Sequence, residues 1–221
     1  MIQECLLVMQ TGDIEDQFEI IPRIGVLRDH RFYKPLLEML NHKDPKRREF
    51  AAYSMGAMRD PEFLDPLKRA FKSAQILKGN AGENLQVAII EAIGVIGDDA
   101  AVEFFLPMLK DAGRDQRSGK LPQWIVESLG RIAQQGGERS LDALLELTWH
   151  EDPEIRAQAL SELSVAYWHR PNEIADTTLD RICELTHDGN RSIAESALEA
   201  LQNLADVGCR RAERLFANED T

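Results

Sequence analysis

Residues 88 to 100 read AIIEAIGVIGDDA, an apolar run with glycines at 94 and 97 and a pair of aspartates behind them. In isolation this could be a phosphate-cradling loop. That chemistry needs a strand before the glycines and a Gly-Lys-Ser/Thr after them, and the surrounding sequence offers neither. Self-similarity along the chain decides for a repeat instead. With Gly94 as anchor, RIGVLRD places Gly25 in the same slot, SMGAMRD places Gly56 and SLGRIAQ places Gly130. ELSVAYW and ALQNLAD are weaker copies, with Ser164 and Gln202 in the slot. The steps of 31, 38, 36, 34 and 38 residues have the period of a helix pair and cover nearly the whole chain.

A second helical pattern precedes each glycine run. In YKPLLEMLNHKDPKRREFAAYSMGAMRDPEFLDPLKRAF, Leu36, Leu37, Met39 and Leu40 form an apolar stripe closed by an Asn-His-Lys-Asp-Pro turn. Asp44 is placed to cap the next helix and Pro45 suits its first turn. Ala51, Ala52, Met55 and Met58 then recur at helical spacing. TWHEDPEIRAQALSEL repeats the device with Asp152, Pro153, Ile155 and Arg156, and THDGNRSIAESALEAL does so more loosely with Asp188. The glycine slot has a packing reason, since small residues let neighbouring second helices cross closely. Gly97 and Asp98 stand where one helix stops and the next starts.

The pattern DP-x-x-R-x-x-A-x-x-x-L-G-x-x-x-D resembles HEAT repeats, in particular the short HEAT-like subtype named after bilin lyases. The resemblance is strongest at 35–110 and weakest at both ends. It implies an all-α fold, an α-α superhelix or solenoid of about five to six helix pairs, with first helices convex and second helices lining a concave surface. The approximate repeats are 3–30, 31–61, 62–99, 100–136, 137–172 and 173–221, the last including a C-terminal cap, within a single domain spanning 1–221.

With 221 residues, 43% of them hydrophobic, the chain is long enough for a substantial core. No apolar run approaches the roughly 18 residues that span a bilayer, and MIQECLLVMQTGD lacks the basic start of a signal peptide. Cys5, Cys183 and Cys209 are odd in number and scattered, as in a reduced, cytoplasmic protein. The net charge of −12 is uneven, with 14 Lys and Arg against 17 Asp and Glu up to residue 110, and 12 against 21 beyond it. Such acidity argues against nucleic acid as a partner.

Several HEAT-type enzymes are alternatives to a plain scaffold. Deoxyhypusine hydroxylase, a HEAT protein, holds iron through His-Glu pairs on second helices. Here the matching positions read Arg48-Glu49 and Ala194-Glu195, so no metal is expected. An alkylpurine DNA glycosylase would need a basic groove, which this acidic chain lacks. A bilin lyase or chaperone-like relative is the principal alternative, although no residue marks a bilin site. No Ser-His-Asp or Cys-His constellation is evident, so neither catalytic residues nor a cofactor are expected.

The reading is therefore a non-catalytic adaptor that binds another protein. Aligning the copies separates core slots from variable ones on the second helices. Phe18, Phe50, Tyr53, Val87 and Trp124 are expected to cluster on the concave face, with Glu91 and Glu127 stacked beside them and Arg131 one turn beyond. Aromatics flanked by carboxylates suit an apolar and basic segment. A second candidate surface is the edge formed by the turns between paired helices, where Lys46, Arg47, Arg48, Lys78, Arg114, Arg117 and Lys120 form a basic band. The apolar N-terminal segment, with Leu6, Leu7 and Met9, is a candidate homodimer contact.

Overall fold

The computed structural model describes residues 1–77, 79–112 and 120–219. Among them the regular structure is helical throughout, and the contacts divide the chain into two compact units, Met1–Phe104 and Phe105–Thr221. The fold is all-α, and each unit is a stretch of α-α solenoid.

In the N-terminal unit α1 (Ile2–Thr11) is followed by α2 (Ile14–Glu19) and α3 (Ile21–Leu27). The pairs α4 (Tyr33–Leu40) with α5 (Pro45–Met58) and α6 (Leu64–Ala74) with α7 (Asn80–Ile96) come next. The second helix expected in the first repeat is broken at Ile20. Pro22 has no N–H to continue the ladder, and α3 restarts with that proline in its first turn. α3, α5 and α7 pack side by side in chain order, and each first helix packs on its own second helix.

The glycine slots work as the sequence predicts. A Cβ on Gly25 would sit 2.9 Å from Ala57 Cβ, and one on Gly56 would sit 2.8 Å from the Cα of Ala92. Real Cβ atoms do not approach so closely, so these two glycines set the spacing of α3, α5 and α7.

The stop-and-start junction is also explicit. Arg28, Arg59 and Gly97 end α3, α5 and α7 in the left-handed conformation. The next residue, Asp29, Asp60 or Asp98, accepts a hydrogen bond from the backbone N–H two residues on and opens a short 3-10 turn. Glycine adopts that conformation freely, whereas two arginines hold it here at about 1–2 kcal/mol each. The third turn leads into α8 (Val102–Ala112).

In the C-terminal unit α9 (Leu121–Gln134), α11 (Pro153–Ala166) and α13 (Arg191–Asp206) form the corresponding layer. α10 (Glu138–Leu147) pairs with α11 and α12 (Asp176–Leu185) with α13. α14 (Arg210–Glu219) packs on α13. Arg211 ties α14 to Asp176 and Asp180 of α12.

Two turns between paired helices share a device that the sequence shows as H-x-D-P-x-x-R. In the first, His42 Nδ1 accepts from the Asp44 N–H at 3.0 Å, and Asp44 caps α5 through the Lys46 N–H. Arg48 then reaches back to the Leu40 carbonyl at 3.1 Å. In the second, His150 Nδ1 accepts from the Asp152 N–H, Asp152 caps α11, and Arg156 donates to the carbonyls of His150 and Glu151. Histidine, aspartate and arginine together satisfy the backbone groups that the end of one helix and the start of the next leave open.

Candidate functional site

In the N-terminal unit the outward faces of α2, α5 and α7 carry a cluster of aromatic and acidic side chains. Tyr53 on α5 donates from its hydroxyl to Glu91 Oε2 on α7 at 3.0 Å. Burial, reinforced by the charges of Glu91 and Glu49, raises the phenol's pKa well above its ordinary value, so it stays a protonated donor. Phe18 on α2 stands edge-on to both Phe50 and Tyr53, with centroids 6.1 Å apart in each case.

Beneath these residues Glu49 is 5% exposed. Its Oε2 accepts from Lys46 Nζ at 2.8 Å, while its buried Oε1 has no hydrogen-bond partner among the described residues. An unpaired buried carboxylate oxygen is costly, and here it lies one turn along α5 from the Tyr53–Glu91 pair.

Phe50 is corrected by the structure. It was expected on the partner-binding face but is fully buried, with the Phe18 ring edge-on to it. Phe18, Tyr53 and Glu91 remain partly exposed at the surface of the cluster.

In the C-terminal unit Trp124, Glu127 and Arg131 lie along α9, each half-buried. Arg131 is not a free cation, since its guanidinium donates to Glu127 Oε1 at 2.6 Å. Beside them on α11 is Glu162, two residues before Ser164 as Ala92 is two residues before Gly94. Its carboxyl occupies the space that a Cβ on Gly130 would fill. Burial, and then the neighbouring Glu127 charge, push its pKa up to about 7, against an opposing pull from Arg131. The available signal was a glutamate in an alanine slot opposite a glycine. The face continues at Gln123, which donates to Glu154 Oε2 at 3.1 Å, and Gln158, which donates to the Gln123 carbonyl at 3.0 Å.

The basic edge is only partly a free surface. Lys46 is engaged by Glu49, and Arg48 is half-buried and bonded to Leu40 and Ser73, so Arg48 is corrected from an edge contact to a brace. Arg47 is half-buried and Lys120 exposed. Lys78, Arg114 and Arg117 lie outside the described residues. At the N-terminus Met9 and Cys5 are buried within the chain, while Leu7 is 58% exposed.

Among the described residues no three His, Cys, Asp or Glu side chains converge to hold a metal ion, and the three cysteines are free thiols. No helix among them is long and apolar enough to cross a membrane.

Residues 74–164 match the family model described as HEAT repeats. No curated protein matches the chain. Two crystal structures of engineered proteins from the Northeast Structural Genomics Consortium are similar at 15% identity. One has a TM-score of 0.49 and the alignment covers 93% of this chain and 96% of that one. The other has a TM-score of 0.45, with 97% of this chain covered and 60% of the longer engineered one. The helix pairs with their glycine slots, and the match over 74–164, together support a HEAT-like repeat protein.

Proposed function

We propose that the protein is a non-catalytic interaction scaffold of the cytoplasm, and that its partner docks on the second-helix face of the N-terminal unit. Phe18, Tyr53 and Glu91 form the contact, with Glu49 behind them. The observation that carries this reading is the buried Oε1 of Glu49, unpaired one turn from the Tyr53–Glu91 hydrogen bond. Two carboxylates and two aromatic side chains in one small area suit a segment that carries an apolar residue next to a lysine or arginine. A guanidinium displacing Lys46 would engage both oxygens of Glu49 where Lys46 engages one. On α9 of the C-terminal unit, Trp124, Glu127 and Arg131 are a separate candidate contact, and Arg47 orients the partner of the N-terminal unit from the edge. The free thiols suit a reducing compartment.

The test compares wild type, Tyr53→Ala, Glu91→Gln and Trp124→Ala as baits in a pull-down from the source organism, with circular dichroism as the control for folding. Recovery of a specific partner should fall with Tyr53→Ala and Glu91→Gln. Unchanged recovery with the fold intact would remove this face from consideration.

A further inference from the structure

A groove of about 210 Å³ opens between the first helices α4 and α6, on elements other than those that carry Tyr53 and Glu91. Its apolar floor is Leu37, Leu40, Pro66 and Ala70, and its polar lining is Asn41, Arg69 and Ser73, with no carboxylate among them. Arg69 is exposed and has no hydrogen bond or ion pair among the described residues. Arg48 stands directly behind the lining, donating from Nε to the Leu40 carbonyl at 3.1 Å and from Nη2 to Ser73 Oγ. Ser73 passes the chain on to the Ala70 carbonyl at 2.8 Å.

Among the described residues Arg48 therefore has neutral oxygens for partners and no carboxylate. Burial lowers its pKa from the ordinary arginine value, with no opposing contribution from a nearby acid. A partly desolvated cation is ordinarily matched by an anion.

On first helix α12 of the C-terminal unit, Arg181 holds the place that Arg69 holds on α6, and it shows what a matched arginine looks like there. Arg181 reaches back to the end of the preceding first helix, donating to the Thr148 carbonyl at 2.9 Å and to Thr148 Oγ1 at 3.2 Å. It also pairs with Glu184 at 3.1 Å and has the Trp149 ring 4.3 Å from its guanidinium carbon. Among the described residues Arg69 has neither a carboxylate nor an aromatic face against it. The charge and the apolar surface missing at this junction define what would complete it.

We propose that the α4–α6 groove receives an acidic segment of a partner protein, a Glu or Asp carboxylate pairing with Arg69 while an adjacent leucine-type side chain lies on Leu37, Leu40 and Pro66. The apolar floor favours a peptide over inorganic phosphate, which has nothing to place there. The site is opposite in charge preference to the Tyr53–Glu91 face and stands independently of it.

The probe is the peptide acetyl-Gly-Leu-Glu-Glu-Leu-Gly-amide, titrated into isotope-labelled full-length protein and followed by amide shifts. Saturable shifts are expected at Asn41, Arg69 and Ser73. The Gln-Gln version of the peptide should bind at least about tenfold more weakly, as should Arg69→Gln protein, whose exposed substitution leaves the core untouched. Tyr53→Ala should leave this binding unchanged, which separates the groove from the other face. Equal binding of the neutral peptide, or indifference to Arg69→Gln, overturns the proposal. So does inorganic phosphate binding at these amides as tightly as the peptide, because the floor would then contribute nothing.

Discussion

Replacing Glu162 by glutamine should make the protein more stable at alkaline pH and leave it unchanged in acid. The fold raises this carboxyl from an ordinary 4.5 to about 7, chiefly by burial against α9 and secondarily through Glu127. Below 4.5 the group is protonated in both folded and unfolded chains. Between 4.5 and about 7 the native chain holds the proton more tightly, so its contribution to stability falls steadily as pH rises, and above about 7 the loss is complete. A rise from 4.5 to about 7 corresponds to about 3 kcal/mol. Urea unfolding of wild type and Glu162→Gln, followed by circular dichroism from pH 4 to 8, isolates this group because every other titration is common to both. The two should coincide near pH 4, and the variant should lead by up to about 3 kcal/mol near pH 8. A gap that does not change with pH, or a variant less stable at pH 8, would refute the reasoning.

Gly130→Ala places a methyl group where the Glu162 carboxylate lies, so the side chain must swing toward solvent. The same urea series should then show a flattened pH dependence. Gly56→Ala differs because its Cβ meets the backbone of α7 at Ala92 rather than a movable side chain. Overpacking of about 1–3 kcal/mol should exceed the roughly 1 kcal/mol gained in helix propensity, giving a lower Tm. Asp152→Ala removes the α11 cap and should cost about 1 kcal/mol in chemical denaturation, with Asp152→Asn retaining most of the stability.

The helical repeat was legible because its signals are local. A glycine slot, an Asp-Pro cap and an apolar stripe each act within a few residues, and the structure realises them at Gly25, Gly56, Asp44 and Asp152. The break at Ile20 was also written locally, in Pro22, but the aligned copies masked it. The candidate site was harder to read because it depends on neighbours a whole repeat away. Phe50 and Tyr53 differ by three positions on one helix and both meet the Phe18 ring, yet Phe50 is fully buried and Tyr53 partly open.

Charged residues pose the same problem in sharper form. Arg48, Arg131 and Arg156 look alike as surface cations in the sequence, but each is already engaged. Arg131 is held by a carboxylate one turn away, which i, i+4 spacing foretells. Arg156 is absorbed by the carbonyls of its own turn, as the H-x-D-P-x-x-R pattern foretells once His150 is seen as part of it. Arg48 belongs to the same pattern, but it also spans to the Ser73 hydroxyl in the next repeat. An arginine satisfied within its own turn says nothing about partners. One held across a repeat junction with only neutral partners among the described residues draws attention to the groove beside it. On that reasoning the informative cations are Arg48, half-buried with neutral partners, and the exposed Arg69 of the groove in front of it, which offers the accessible charge.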